Sequence, residues 1–262
     1  MSKFSIVLRS VIYNVVFYAN LVFWVLLGIP TYLMPRYGIL WIAKMWGLTS
    51  IWLLEKICRV KLEYRGLEKL KNEPLIIAAK HQSMFETFAL VSVLKEPLYI
   101  LKRELTWLPF FGWYLIKAEM IAINRAAGKS ALVDMTKRAR EEIRSGRQLI
   151  IFPEGTRKSV GAPPTYKYGV SQIYVECDVP CIPVALNSGL FWPRRKFLRY
   201  PGTLVIEILD PIQPGLSAED FLRTLEAKIE DASNKLIDAG LREQAALFGR
   251  SPVLTPSEDA TS

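Results

Sequence analysis

The sequence predicts an α/β protein, a mixed central sheet flanked by helices, with an N-terminal membrane-embedded helical hairpin. Three observations predict it. Residues 11–29 contain no charged side chain and are rich in Val, Leu, Phe and Trp. From about residue 60 onward, short apolar runs alternate with amphipathic segments, the pattern of strands covered by helices. The chain is also long enough, at 262 residues, to bury a large core. The expected division is residues 1–58 for the membrane-associated helices, 59–250 for the folded domain and 251–262 for a polar tail.

The first apolar segment, 11–29, would be ~29 Å long at ~1.5 Å per residue, just enough to cross a bilayer. Lys3 and Arg9 precede it, and Pro30-Thr31-Tyr32-Leu33 follows without a small-residue cleavage site, which argues against a signal peptide. The second, 39–54, is interrupted by Lys44 and runs into Glu55, Lys56 and Arg59, so it reads poorly as a span by itself. With Pro30 and Pro35 near the turn, the two form a hairpin that is re-entrant or lies in the interface. Two spans, or one span and an interfacial helix, are the alternatives. Trp24, Trp41, Trp46 and Trp52 suit the headgroup region.

Residues 75–79, 98–101, 120–123, 148–152, 181–186 and 203–208 read as strands. Residues 85–94 and 130–145 read as helices between them. In the second, Ser130 is the expected N-cap, Ala131, Leu132, Met135, Ala139 and Ile143 share a side, and Gly146 is the stop. A further helix is expected from 218 to about 239, and a frayed end from 251.

Composition narrows the function classes. The chain is 51% hydrophobic with net charge +9, a combination that fits an anionic membrane surface or anionic substrate. It carries no nucleic-acid-binding motif, so no nucleic-acid partner is expected. The cysteines Cys58, Cys177 and Cys181 are odd in number and form no CxxC, which fits a reducing compartment. One histidine and scattered cysteines make no zinc set, so no metal site is expected. Cys177 and Cys181 would share a helix face only if a helix ran through Pro180. Gly128-Lys129-Ser130 resembles the end of a phosphate-binding loop, but Ile123 stands where that loop needs glycine, so a loop entering a helix cap is expected.

The chemistry-bearing residues begin with His81, the single histidine, in Lys80-His81-Gln82-Ser83-Met84-Phe85-Glu86. Its side chain is the only type whose ordinary pKa allows acid–base work near neutrality. It follows the apolar run 75–79, hence the carboxyl end of a strand, where open α/β sheets place ligands. On one continuous helix His81 and Glu86 would be about 140° apart. With His81 in the turn before the helix, the carboxylate reaches back to the ring. By itself the pair is a weak signal.

The second feature is Ile151-Phe152-Pro153-Glu154-Gly155-Thr156-Arg157, an apolar strand ending in a turn that presents Thr156 and Arg157. Arginine suits a bidentate grip on phosphate, and Gly155 allows an unusual dihedral; a structural turn fits equally well. Lys102 and Arg103 precede the aromatic block Trp107 to Trp113, in which packing accounts for at least two of Phe110, Phe111 and Trp113. A strand ends near Arg125. Residues 179–186 form an apolar, proline-flanked strand that is most simply structural.

Together these blocks resemble the glycerolipid acyltransferases, and most closely the 1-acylglycerol-3-phosphate acyltransferase (lysophosphatidic acid acyltransferase) family. The family's histidine and aspartate are matched by His81 and Glu86, its second block by Ile123-Asn124-Arg125, its third by Phe152 to Arg157 in full, and its fourth by 179–184. The likeness covers about residues 60 to 210, in order, and departs at Glu86, where aspartate is usual. It implies that residues 59–250 form an acyltransferase catalytic domain on the cytoplasmic side of a cell inner membrane. It also implies acyl transfer from acyl-CoA or acyl carrier protein to the sn-2 hydroxyl of 1-acyl-sn-glycerol-3-phosphate, giving phosphatidic acid, with no cofactor. The partners are then a lysophospholipid acceptor, an acyl thioester donor and a phospholipid membrane. In that scheme His81 is the base and Glu86 orients it. Lys102, Arg125 and Arg157 bind the acceptor's phosphate with Gly155 and Thr156 beside them. Glu154 positions the glycerol or a neighbouring cation, and backbone N–H groups near Gly155 serve the oxyanion. Another lysolipid acceptor such as a lyso-ornithine lipid, or a non-catalytic protein that binds acidic lipids, are the rival readings. A hydrolase is disfavoured by the lack of a Gly-x-Ser-x-Gly elbow.

Overall fold

The computed structural model describes residues 2–124, 128–249 and 253. Among these, the strands are β1 (Val60–Arg65), β2 (Leu75–Ala79), β3 (Pro97–Lys102), β4 (Ile121–Ile123), β5 (Gln148–Ile151), β6 (Cys181–Leu186) and β7 (Gly202–Ile208). The helices are α1 (Lys3–Leu27), α2 (Arg36–Cys58), α3 (Phe85–Val93), α4 (Phe111–Lys117), α5 (Gly128–Arg144), α6 (Gly169–Cys177), α7 (Ser188–Phe191) and α8 (Ala218–Phe248).

The strands form one sheet in the order β1-β7-β6-β2-β5-β3-β4, mixed because β6 and β7 are antiparallel while the other neighbours are parallel. The run Leu75-Ile76-Ile77-Ala78-Ala79 is apolar throughout because β2 is central and covered on both faces. Its side chains divide by the two-residue strand period. Leu75, Ile77 and Ala79 join the core with α1, α3 and α7, and Ile76 and Ala78 join the core with α5, α6 and α8. Since β6, β2, β5, β3 and β4 all run one way, their carboxyl ends share one edge of the sheet.

The hairpin exists as a long antiparallel pair. Pro30 lies in the 3₁₀ turn Ile29–Leu33, and Pro35 caps α2. Both helices are long and apolar enough to cross a membrane, including α2, whose Lys44 did not end it. Their contacts are more specific than a lipid-filled span requires. Ile6, Ser10, Tyr13 and Phe17 recur every three or four residues on the buried face of α1. Tyr13 and Phe17 lie in the main core with Phe88 and Trp192, and Asn20 and Trp24 bond to Thr49 of α2 at 3.0 Å each. The opposite face, including Val11, Val15, Val22, Phe23 and Leu26, is apolar and exposed. Trp41 and Trp52 are exposed, whereas Trp46 packs between Phe17 and Phe88 at ring distances of 5.8 and 5.3 Å.

Other expectations change. β1 is an additional strand, whose alternating Lys61, Glu63 and Arg65 suit its edge position. α8 continues to Phe248 and ends at left-handed Gly249, because Gly240 fits against Leu190 and Asn187 where a Cβ would clash. Ser130 is not an N-cap, since α5 already runs from Gly128, and Gly128-Lys129-Ser130 is the first turn of the helix. Phe110, Phe111 and Trp113 are not core residues: they are 50%, 38% and 51% exposed. The short α4 turns them outward beside the hairpin tip, where the Tyr114 hydroxyl donates to the Val25 carbonyl. α6 ends at Cys177 before Pro180, so the two cysteines lie on different elements.

Candidate active site

The carboxyl edge of the sheet gathers segments far apart in sequence. Along it stand Ser188 after β6, His81 after β2, the 152–157 turn after β5, Lys102 at the end of β3 and Asn124 after β4. Arg125 lies outside the described residues.

His81 sits in the turn before α3, and Glu86 is in the first turn of that helix, so the carboxylate folds back over its own N-terminus. Glu86 is wholly buried and accepts at every side. Its Oε1 lies 3.0 Å from His81 Nδ1 and 2.7 Å from the backbone nitrogens of Gln82 and Ser83. Its Oε2 accepts from Ser188 Oγ at 2.8 Å. The carboxylate thus satisfies orphan donors at the helix start, where the helix dipole also favours an anion. The His81 ring stacks on Phe152, centroids 3.9 Å apart and planes 14° apart, and is itself 13% exposed. One edge of the ring is held and the ring face is covered, which fixes its orientation.

The 152–157 turn wraps behind His81. Gly155 has φ +68°, the left-handed region where glycine is unstrained, and its N–H donates to the Phe152 carbonyl at 2.9 Å. The backbone N–H of Lys158 donates to the His81 carbonyl at 2.8 Å. Thr156 is exposed and Arg157 half-buried. Lys102 is exposed, with β5 between its strand and that of His81.

Glu154 faces a cation rather than open solvent. It is buried, with Oε1 3.1 Å from Lys80 Nζ and Oε2 accepting the His81 backbone N–H at 3.3 Å. It positions a neighbouring cation, as one of the two expectations had it, and that cation belongs to the protein. Burial pushes its carboxyl pKa up, and the Lys80 ammonium opposes that.

Several members of the site were not among the sequence candidates. Ser188 holds the second oxygen of Glu86, and Gln82 Oε1 accepts the Gly189 N–H at 3.0 Å. Lys80 and Glu230 form the ion pair beneath the turn. The polar triplet Asn187-Ser188-Gly189 after an apolar strand was the available signal for Ser188. Glu230 had none, because α8 reaches the site only in the folded chain.

A family model described as Acyltransferase matches residues 61–187, which run from the start of β1 through His81 and the 152–157 turn to Asn187 at the end of β6. Residues 61–187 are thus similar to that family. The segment carries His81, Glu86, Lys102 and the 152–157 turn, and Ser188 falls just beyond it. Similar proteins include the 1-acyl-sn-glycerol-3-phosphate acyltransferase of Pseudomonas aeruginosa, 38% identical over 167 residues, which are 64% of this chain and 65% of that one. The human 1-acyl-sn-glycerol-3-phosphate acyltransferase beta is 30% identical over 165 residues, 62% of this chain and 59% of that one. Each match thus spans less than two thirds of the relative's length. In three dimensions the chain resembles the crystal structure of the 1-acyl-sn-glycerophosphate (LPA) acyltransferase PlsC from Thermotoga maritima. The TM-score is 0.72 at 21% identity, covering 87% of this chain and 97% of that one. The chain therefore shares its fold, the sheet with its flanking helices, with that protein.

Proposed function

We propose that this acyltransferase domain moves a fatty acyl group from acyl-CoA or acyl carrier protein to the sn-2 hydroxyl of 1-acyl-sn-glycerol-3-phosphate, giving phosphatidic acid for phospholipid biosynthesis. The observation that carries the reading is the His81–Glu86 pair, anchored through Ser188 and set against the 152–157 turn. Glu86 accepts the proton-bearing Nδ1, which leaves Nε2 with its lone pair. Nε2 takes the proton of the acceptor hydroxyl as that oxygen attacks the thioester carbonyl. Collapse of the tetrahedral intermediate breaks the carbon–sulfur bond, and the imidazolium returns the proton to the departing thiolate. The acceptor's alcohol fills the place a serine has in a triad, so no protein nucleophile is required. Backbone N–H groups near Gly155 are assigned to the oxyanion; the Gly155 N–H itself bonds to the Phe152 carbonyl. The scheme needs no metal or cofactor beyond the two substrates.

Arg157, Lys102 and Arg125 are assigned to the acceptor phosphate. Arg157→Ala is expected to raise the acceptor KM about 10- to 100-fold, the loss of one charge-assisted pair of roughly 1.5–3 kcal/mol. Steady-state kinetics with lysophosphatidate check this, and an unchanged KM would return Arg157 to a structural role. An acceptor panel comparing lysophosphatidate, glycerol-3-phosphate and lyso-aminolipids tests the substrate itself. Preference for an acceptor without phosphate would overturn it.

The apolar hairpin supports a site at a membrane, which we assign to the cell inner membrane with the domain on its cytoplasmic side. α1 is packed into the domain core along its first half, so it lies against the bilayer with its outer face in one leaflet. Val15 and Val22 lie on that face. The double substitution Val15→Asp, Val22→Asp is expected to weaken vesicle binding about 100-fold, since each buried aliphatic side chain contributes roughly 1.5 kcal/mol before the added charges count. Co-sedimentation with liposomes measures it; undiminished binding would remove α1 from the membrane contact.

A further inference from the structure

The cluster formed by Lys80, Glu154 and Glu230 has no part in the chemistry above, yet it lies next to His81. Lys80 immediately precedes His81 and is buried. Its Nζ is 3.1 Å from Glu154 and 2.6 Å from Glu230 Oε1. The same oxygen of Glu230 accepts from the Tyr166 hydroxyl at 2.9 Å. The other oxygen of Glu154 holds the His81 backbone N–H. An unbroken chain of contacts thus runs from α8 through Lys80 and Glu154 to the main chain of His81. Glu230 lies outside residues 61–187, so this contact enters the acyltransferase domain from beyond the matched segment.

We propose that Lys80 and Glu230 are positioning residues for His81: α8 holds the Lys80 ammonium, the ammonium holds Glu154, and Glu154 fixes the backbone from which the His81 ring projects. The proposal rests on the reading of His81 as the base of acyl transfer. A buried ion pair contributes little to stability by itself, because desolvation offsets most of its attraction. Its role here is geometric. Two carboxylates share one ammonium, and the excess negative charge is met by the His81 N–H and the Tyr166 hydroxyl. Without Lys80, burial and the nearby Glu230 carboxylate would be opposed at Glu154 by the His81 N–H alone, which favours the neutral form and weakens its hold on His81. The ionisable groups facing Glu154 are Lys80, Glu230 and, through Glu230, Tyr166.

His81 is the only histidine in the chain, so histidine-labelled full-length protein without a histidine tag gives one backbone amide signal and one set of imidazole signals by NMR. Lys80→Met and Glu230→Gln are compared with the parent protein by these signals and by steady-state kinetics. Both His81 signals are expected to move in Lys80→Met and in the same direction, less far, in Glu230→Gln. The kcat is expected to fall about 10- to 100-fold in Lys80→Met, the scale of a misplaced catalytic group, with acceptor KM within about twofold. The double variant should be no worse than Lys80→Met alone, because both changes cut the same chain of contacts. Should Lys80→Met fail to fold, Glu230→Gln carries the test, since it keeps an acceptor for Tyr166 at a partly exposed site. Unmoved His81 signals with unchanged kcat in a folded variant overturn the proposal. A change in KM alone also overturns it, by making Lys80 a substrate contact. Signals that move as expected in a protein that transfers no acyl group support the positioning chain and sink the acyl-transfer reading instead.

Discussion

Replacing His81 by alanine is expected to lower kcat by about 10²–10⁴-fold, the usual share of a positioned acid–base group, while the protein stays folded. The fold should survive because of how Glu86 is held. Its carboxylate keeps the Gln82 and Ser83 amides and the Ser188 hydroxyl when the imidazole is removed, so no buried charge is left without partners. The loss is one hydrogen bond and the stack on Phe152, on the order of 1–2 kcal/mol. Turnover with labelled acyl thioester, alongside a thermal melt, separates the two effects. A folded His81→Ala protein with near-parental turnover would sink the mechanism.

Glu86→Gln is expected to be nearly as damaging as loss of the ring, at about 10²–10⁴-fold in kcat, because the imidazolium formed during attack loses its counter-charge. The amide is close in shape, and its oxygen still faces the Gln82 and Ser83 N–H groups, so stability should change far less than rate. Glu86→Asp should keep turnover within about tenfold of the parent. The shorter arm still carries the charge, although it must withdraw from either His81 or Ser188, which the present side chain reaches with separate oxygens. Equal activity in the two variants would show that the carboxylate does not orient His81.

The Ser188 contact also explains why glutamate fits here. The extra methylene lets a residue in the first turn of α3 bridge His81 on one side and the end of β6 on the other. That bridge was not legible in the sequence, since Glu86 and Ser188 are separated by 102 positions. The strand periods were legible, because central strands such as 75–79 and 181–186 are apolar on both faces and bounded by turn residues. The charged alternation of β1 and the seven-residue α4 carry weaker periodic signals, and both were missed.

By itself the sequence determined the α/β class, the apolar hairpin, the single base candidate His81, and the turn 152–157 with its arginine. These follow from local patterning: hydrophobic period, turn chemistry and the presence of one imidazole. The tertiary structure alone decided that Glu154 faces Lys80, that Ser188 secures Glu86, that Phe110, Phe111 and Trp113 face outward, and that α8 reaches Lys80, next to His81, through Glu230. The physical reason is that parallel strands bring their carboxyl ends to one edge only after the whole sheet is assembled. Partners for a buried charge are then chosen by proximity across that edge, which no spacing along the chain encodes.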